Sequence, residues 1–281
     1  MKKKCLIYVV SYNHEKFILK TLERIPQNLS EYYDVEILVA NDKSKDKTLE
    51  KAKEYVTKNF KYNIISLYKN LGYGGNQKIG YYYSILNNFD YVVLLHGDGQ
   101  YAPEYLPDIL KKFDDVDKFS AVFGSRMIEK GSALKGGMPL YKFAGNKILT
   151  FAQNFLLDAK LSEFHSGYRA YRVESLKKIL FQKNSNDYCF DTEIIIQLIL
   201  NKFKIKEISI PTFYGDEISY VNGFKYAAQI MIETLKAYLF RRGIINIEKF
   251  KNLDTKNDLE FKIYNDEFKK ILENSKFFKI N

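Results

Sequence analysis

The sequence of 281 residues has few cysteines, which excludes a protein stabilised by several disulfides and one stabilised by a cysteine-based zinc site. Only Cys5 and Cys189 occur, far apart in the chain. Such a pair provides neither a disulfide framework nor a cysteine-based zinc site, and it favours a reducing compartment with buried thiols.

Long apolar segments are also absent. The basic start, Met1–Lys4, resembles the beginning of a signal peptide, but the apolar run that follows, Cys5–Val10, is too short for one. No stretch approaches the roughly 20 apolar residues that span a bilayer. We therefore expect a cytoplasmic protein, which leaves peripheral contact with the inner membrane face open.

Acidic residues are outnumbered. The chain has 44 lysines and arginines against 34 acidic residues, a formal net charge of +10. This excess predicts an anionic partner, such as a nucleotide phosphate, a lipid headgroup or a nucleic acid. We expect no nucleic acid, because no helix has a dense basic stripe and no recognition module is present.

Short apolar runs alternate with longer helical patterns, which predicts an α/β fold with a mostly parallel sheet flanked by helices. We expect one domain over residues 1–243 and a small helical extension or frayed tail over residues 244–281. The predicted strands are Cys5–Val10, Val35–Ala40, Ile64–Leu67, Tyr91–Leu95, Ser120–Phe123, His165–Arg172 and Lys206–Ile210.

The most informative segment follows the fourth predicted strand and reads His-Gly-Asp-Gly-Gln over residues 96–100. Alternate side chains of a strand share one face, so His96, Asp98 and Gln100 can point into one crevice. Oxygen ligands suit Mg²⁺ or Mn²⁺ and leave positions open for a diphosphate. The alternative is an ordinary polar turn with glycines for backbone freedom.

Polar residues also follow the first two predicted strands, at the edge where ligands bind in open α/β sheets. Ser11, Asn13 and Glu15 are candidate contacts for a base or a ribose, unless this segment only caps a helix. Asp42 can accept hydrogen bonds from the same groups, and Asp46 is an alternative helix cap.

A glycine-rich stretch over residues 70–80 follows the third predicted strand. Gly72 permits close backbone approach, and Asn76 and Lys78 lie where a helix N-terminus favours an anion. These three residues are candidate donor contacts. An NAD site is disfavoured, because the stretch follows the third strand rather than the first.

In this order, the segments resemble family 2 glycosyltransferases of the GT-A fold, in the branch of dolichyl-phosphate mannose synthase and its bacterial relatives. The resemblance covers about residues 4–243 and includes Gly124-Ser125-Arg126, Ser166-Gly167-Tyr168-Arg169 and Phe190-Asp191-Thr192-Glu193. It implies a Rossmann-like nucleotide-binding half and an inverting transfer of sugar from a nucleoside-diphosphate sugar. The implied acceptor is a polyprenyl phosphate or a glycan, in bacterial cell-envelope or surface-polysaccharide synthesis.

The chain departs from the family pattern at one position, since the usual Asp-x-Asp is His96-x-Asp98 here. The resemblance keeps Asp98 and Gln100 as metal ligands, with His96 and His165 as further candidates. Because a neutral imidazole removes a negative charge, metal dependence is open. His165 has a structural alternative as a histidine satisfied by the backbone.

The resemblance also implies roles on the acceptor side. Arg126, Arg169 and Arg172 are expected to bind the diphosphate or an acceptor phosphate through their guanidinium groups. The alternative is that one of the three is a surface or structural arginine. Asp191 is expected to deprotonate or orient the acceptor, unless it is a helix N-cap.

Two functions of other classes remain open on the sequence. One is an inactive nucleotide-sugar binding module in which His96 marks loss of the metal site. The other is a nucleotidyltransferase, but Ser11–Lys16 lacks the glycine-rich loop expected there. The amphipathic stretch Phe224–Arg242 either lies on the inner leaflet of a membrane or packs in the core.

Overall fold

The computed structural model describes residues 2–114, 118–213, 223–251 and 259–280, which form one sheet with helices on both faces. The strand order is β7-β5-β6-β4-β1-β2-β3-β8. The strands are β1 (Lys3–Ser11), β2 (Tyr33–Asn41), β3 (Lys61–Ser66), β4 (Tyr91–His96), β5 (Ala121–Ser125), β6 (Arg169–Arg172), β7 (Ile205–Ser209) and β8 (Lys276–Lys279).

Eleven α-helices lie in the described ranges. They are α1 (Ile18–Glu23), α2 (Leu29–Tyr32), α3 (Thr48–Lys53), α4 (Gly72–Leu86), α5 (Leu106–Lys111), α6 (Ser132–Lys135), α7 (Leu140–Leu157), α8 (Val173–Leu176), α9 (Phe190–Leu200), α10 (Gly223–Arg241) and α11 (Leu259–Asn274). Among the described residues, none of these helices has both the length and the apolar character needed to cross a membrane.

Strand β1 lies at the centre of the sheet, parallel to β2 on one side and to β4 on the other. Its side chains alternate between two cores, so Tyr8 packs on one face and Ile7 on the other. A strand buried on both faces is apolar throughout, which is why the run Cys5–Val10 predicted it well. The expected mostly parallel α/β sheet is confirmed.

All seven predicted strands are present, but two boundaries at the crevice differ. Strand β6 begins at Arg169 rather than at His165, because the His165 carbonyl and the Gly167 N–H bond to the side chains of Arg126 and Tyr101 instead of to a neighbouring strand. The Tyr168 carbonyl, next to the strand, already accepts the Gly124 N–H of β5. Helix α4 begins at Gly72 rather than at Asn76, because the Asp42 carboxylate accepts the N–H groups of Leu71 and Gly72.

The last segment of the chain differs in part from the expected helical extension or frayed tail. Helix α11 is present, and its Phe268 packs on Tyr82 of α4 with ring centroids 5.3 Å apart. Residues 276–279, however, form β8, which pairs antiparallel with β3. This Lys-Phe-Phe-Lys strand is short and mostly exposed, so it has no clear hydrophobic pattern. The domain boundary at residue 243 stays a prediction.

A buried ion pair fastens the segment after α10 to α9. Lys249 Nζ lies 2.6 Å from Glu193 Oε1, and Gln197 Nε2 donates to the Lys249 carbonyl at 2.7 Å. Phe250 is buried beside Phe240, with ring centroids 5.7 Å apart. Residues 248–250 therefore support α9 from behind.

Lys249→Met should lower the free energy of unfolding by about 3–5 kcal/mol, because it leaves Glu193 buried without its cation. Denaturant unfolding followed by circular dichroism measures the loss. Lys269→Met is the matched control: it removes an exposed pair with Glu273 on α11 and should cost less than about 1 kcal/mol. Equally small losses in the two variants would show that Lys249 does not anchor this segment.

Candidate active site at the carboxyl ends of the strands

A crevice of about 1160 Å³ opens where β1, β2 and β4 end. Asp42 and Asp98 both line it, although they follow different strands. This is the edge at which open α/β sheets bind ligands. The predicted site residues in its lining are Ser11, Asp42, Gly72, Asn76, His96, Asp98, Gln100, Arg126, His165 and Asp191.

Asn13 and Glu15 were expected to contact a donor, but they join two loops instead. Asn13 Oδ1 accepts a hydrogen bond from the Lys45 N–H at 2.8 Å, and Glu15 Oε2 accepts one from the Lys47 N–H at 3.0 Å. Asn13 has a φ of 57°, which asparagine tolerates better than most residues. These side chains tie the loop after β1 to the loop after β2.

Asp42 holds the start of α4 at the crevice wall. Its Oδ1 accepts the Leu71 N–H at 2.7 Å, and its Oδ2 accepts the Gly72 N–H at 3.1 Å. Burial raises the pKa of Asp42 to about 6, although the two backbone bonds favour the charged form. The alternative cap, Asp46, accepts the Thr48 N–H at 3.0 Å at the start of α3.

Asn76 is a buried residue of the crevice wall and belongs to α4. Its Oδ1 accepts a hydrogen bond from the Tyr8 hydroxyl at 2.6 Å, and its Nδ2 donates to the Ala40 carbonyl at 3.3 Å. Asn76 therefore fixes the start of α4 against β1 and β2.

The glycine-rich segment makes room for protein rather than for a phosphate. A Cβ on Gly74 would lie 2.6 Å from both Phe190 Cβ and the Ser185 carbonyl oxygen, so the glycine allows α4 to approach the start of α9 and the segment before it. Lys78, expected to contact the donor, instead binds the Asn184 carbonyl and Asn186 Oδ1. Burial lowers the pKa of Lys78 to about 8. The glycines in the sequence indicate that some group approaches this backbone closely, but they do not indicate which group it is.

Arg169 does not have the expected phosphate-facing position. It is 1% exposed, and its Nε, Nη1 and Nη2 donate to the carbonyls of Ser166, Asp191 and Phe164 at 2.8, 2.7 and 2.9 Å. With its guanidinium directed at backbone oxygens, Arg169 holds the loop before β6 and the start of α9 together.

The other two arginines differ in position. Arg126 lines the crevice, but its guanidinium is paired with the buried Glu163 and also donates to the His165 carbonyl at 3.1 Å. Arg172 lies at the opposite end of β6 and donates to the Phe119 carbonyl at 3.2 Å. The expectation that Arg172 binds a phosphate in this crevice is therefore wrong.

Asp191 is the second residue of α9, whose N-cap is Cys189, so Asp191 is not the cap. Its Oδ2 accepts a hydrogen bond from the Tyr73 hydroxyl at 2.9 Å, and its Oδ1 accepts one from Gln77 Nε2 at 3.0 Å. Arg169 Nη1 lies 3.5 Å from Oδ1. Both carboxylate oxygens are thus engaged at the crevice wall.

His96 ends β4 and faces the same tyrosine. Its Nε2 lies 3.2 Å from the Tyr73 hydroxyl, and Tyr101 contacts its ring edge-on, with centroids 5.0 Å apart. Burial lowers the pKa of His96, so the imidazole is neutral at pH 7. Two residues on, Asp98 Oδ1 accepts the Gln100 N–H at 2.9 Å and closes the turn.

The residues present fit a cation that arrives with a diphosphate better than a resident metal centre. Among the described residues, no three His, Cys, Asp or Glu side chains are grouped closely enough to hold an ion. Mg²⁺ commonly binds through one or two carboxylates and the substrate's phosphates. Asp98 and Gln100, which line the crevice, supply oxygen ligands of this kind.

The alternative to metal binding for His165 was a hydrogen bond to the backbone, but in the structure its imidazole contacts a side chain. Its Nδ1 lies 3.1 Å from the Tyr226 hydroxyl. Burial lowers the pKa of His165 to about 4, so this imidazole is also neutral at pH 7. Its role as a metal ligand stays a prediction.

Sequence reasoning missed the aromatic lining of the crevice. Tyr73, within the glycine-rich stretch, lies in the first turn of α4, and its ring stacks on that of Tyr188 with centroids 5.0 Å apart. Its spacing of four residues from Gln77 places both side chains on the helix face toward α9. The aromatic residues of the lining are Tyr12, Tyr73, Tyr101, Tyr141, Tyr188, Phe224 and Tyr226.

The sequence matches the model of a family described as glycosyl transferase family 2 over residues 6–180. The polyprenol monophosphomannose synthase of Mycolicibacterium smegmatis is 27% identical over 219 residues, 77% of this chain and 79% of that protein. The UDP-N-acetylglucosamine–dolichyl-phosphate N-acetylglucosaminyltransferase of Methanococcus voltae is 30% identical over 225 residues, 75% of this chain and 87% of that protein.

Solved structures share the fold. Glucosyl-3-phosphoglycerate synthase from Mycobacterium tuberculosis, in complex with Mg²⁺ and uridine diphosphate, superposes with a TM-score of 0.61 at 16% identity. The match covers 87% of this chain and 81% of that one. A second structure of that enzyme, in complex with Mn²⁺, uridine diphosphate and glucosyl-3-phosphoglycerate, has a TM-score of 0.58 at 15% identity. The match covers 87% of this chain and 81% of that one.

Proposed function

Because the chain belongs to glycosyl transferase family 2, as its ordered motifs predicted, we propose that it transfers sugar from a nucleoside diphosphate to a polyprenyl phosphate with inversion. The carrying observation is that Asp42 and Asp98 share one crevice at the carboxyl ends of the parallel strands. Relatives named for polyprenol and dolichyl phosphate support this acceptor class. A role in bacterial cell-envelope or surface-polysaccharide synthesis is part of the proposal.

On the donor side, the segment after β4 carries the chemistry. A divalent cation held by Asp98 and Gln100 would neutralise the charge that develops on the leaving diphosphate. Ser11, the last residue of β1, and Asp42, which follows β2, line the crevice and are the proposed nucleoside contacts. Since Arg126 is already paired with Glu163, its role is to position the loop after β5 beside the diphosphate.

On the acceptor side, the surroundings of Asp191 favour a phosphate over a hydroxyl group. Tyr73 and Gln77 each donate to one oxygen of this carboxylate. A sugar hydroxyl requires a base that is free to take its proton. A phosphate oxygen is already anionic and requires no base. The role of Asp191 is then to keep Tyr73 and Gln77 in position.

Two neighbouring helices carry an exposed apolar face beside the crevice. On α7, the side chains of Tyr141, Ile148, Phe151 and Phe155 recur at helical spacing and are 68–79% exposed. Helix α10 packs against α7 through its buried residues and exposes Phe224, Ile232 and Leu235. The buried side of α10 contacts α7 and α9.

This α7–α10 face has the composition of a membrane-surface site. Large exposed apolar patches mark interaction surfaces, and basic side chains beside them favour anionic lipid. Exposed Lys147, Lys236, Arg241 and Arg242 flank the apolar residues. Tyr141 and Phe224 belong both to this face and to the crevice lining, so a lipid-borne phosphate would enter at its edge.

Asp98→Asn should lower kcat/KM for sugar transfer at least about a hundredfold, or about 2.7 kcal/mol, because it removes the carboxylate nearest the diphosphate. Transfer from UDP- and GDP-sugars to polyprenyl phosphate, with Mn²⁺ or Mg²⁺, measures the loss. Asp108→Asn, at an exposed carboxylate of α5, is the matched control.

Unchanged turnover in Asp98→Asn would overturn the role of this carboxylate. A native chain that binds nucleotide sugar but transfers none to any acceptor would instead favour a catalytically weak binding module.

Asp191→Asn should lower transfer to polyprenyl phosphate much less than transfer to a hydroxyl acceptor, because a phosphate acceptor does not use a base. Transfer to a hydroxyl acceptor would fall by about 10²–10⁴-fold. Parallel assays with one donor and both acceptors measure the difference, and calorimetry with the donor verifies that binding is intact. A glycan acceptor that the native chain uses and the variant loses would contradict the phosphate assignment.

Phe151→Glu combined with Phe155→Glu should weaken binding to vesicles with anionic phospholipid at least about tenfold, because two apolar contacts become two repelled charges. Vesicle co-sedimentation measures the partition. The matched control combines Tyr32→Glu and Val56→Glu, at exposed positions near α2 and α3. Equal binding by the two double variants would exclude the α7–α10 face as the membrane site.

A further inference from the structure

Tyr73 links His96 to Asp191, and the direction of its hydrogen bonds follows from the chemistry of the three groups. A phenol has one proton, whereas an ionised carboxylate only accepts. The Tyr73 proton therefore points to Asp191 Oδ2, 2.9 Å away. The phenol oxygen is then left as an acceptor for His96 Nε2, at 3.2 Å.

From this arrangement we infer that Tyr73 fixes His96 in the tautomer with its proton on Nε2, leaving the Nδ1 lone pair as a ligand for a divalent cation in the crevice. A neutral imidazole has one N–H and one bare nitrogen, so assigning one nitrogen assigns the other. No side chain or backbone group in the described ranges hydrogen-bonds to Nδ1. The cation depends on the proposed function, whereas the tautomer does not.

The packing around His96 is built for this contact. A Cβ on Gly167 would lie 2.8 Å from His96 Cε1 and Nε2 and 3.0 Å from the Tyr73 hydroxyl. Only a glycine leaves room there for the imidazole and the phenol to meet. Tyr101 closes another side of the ring, and its own hydroxyl accepts the Gly167 N–H at 2.7 Å.

The arrangement gives a physical reason for a histidine where the family has an acid. Metal-binding histidines usually donate their second N–H to a carboxylate or carbonyl, which fixes the ring and raises its basicity. Here the donation runs through Tyr73 to Asp191. Tyr73 is thus a positioning residue that acts through His96.

The tautomer can be read directly by ¹⁵N nuclear magnetic resonance of histidine-labelled protein without nucleotide or metal. The chain has only three histidines, and His96→Gln identifies the signals of this one. We expect the Nε2–H form in the native chain and a mixture in Tyr73→Phe. Tyr32→Phe, at an exposed position of α2, should leave the native form. An Nδ1–H form, or no change in Tyr73→Phe, would overturn the inference.

Metal binding is measured separately, by electron paramagnetic resonance of Mn²⁺ with UDP or GDP. Tyr73→Phe should weaken Mn²⁺ binding about 10–100-fold, the usual effect of losing a group behind a metal ligand. Nucleotide binding without metal should be unchanged. Gly167→Ala crowds the same contact from the other side and should also weaken Mn²⁺ binding. Because the two variants disturb the contact in different ways, the same loss in both would not be explained by a folding defect in Tyr73→Phe alone.

The outcomes separate this inference from the proposed function. If neither nucleotide binds the native chain, the proposed donor fails while the tautomer measurement stands. Equal Mn²⁺ binding by the native chain, Tyr73→Phe and Gly167→Ala would overturn the ligand role of His96.

Discussion

The carboxylate of Asp191 is the point at which four elements of the structure meet. It belongs to α9, accepts hydrogen bonds from Tyr73 and Gln77 of α4, and lies beside Arg169 at the start of β6. Through Tyr73 it also reaches His96, at the end of β4. A buried charge is tolerated only with such partners, so the position of each element depends on this group.

The support for α9 continues behind the crevice. The same helix presents Asp191 to the front and Glu193 to the rear, where Lys249 neutralises it. The crevice wall is therefore coupled to residues beyond the predicted domain boundary at residue 243. The final strand, β8, adds a second attachment by pairing with β3. Residues 248–250 thus contact α9, which supplies Asp191 to the crevice wall.

The sequence predicted the sheet and the place of the crevice because buried strands are apolar and their polar ends converge at one edge. It did not predict which polar ends face a ligand. The side chains of Asn13 and Lys78 form hydrogen bonds with neighbouring loops. Arg169 donates to backbone carbonyls, and no pattern of residue types in the sequence indicates such partners. Strand β8 was missed because four mostly exposed residues carry little hydrophobic periodicity.

The start of α7 and the start of α10 belong both to the crevice lining and to the exposed apolar face. Any surface that takes up this face therefore also fixes the direction in which the crevice opens. An acceptor confined to that surface meets the protein at a high effective concentration, without a further binding contact. A freely diffusing acceptor has no such advantage. The orientation of the protein on the surface therefore favours the surface-confined acceptor before either acceptor contacts the crevice.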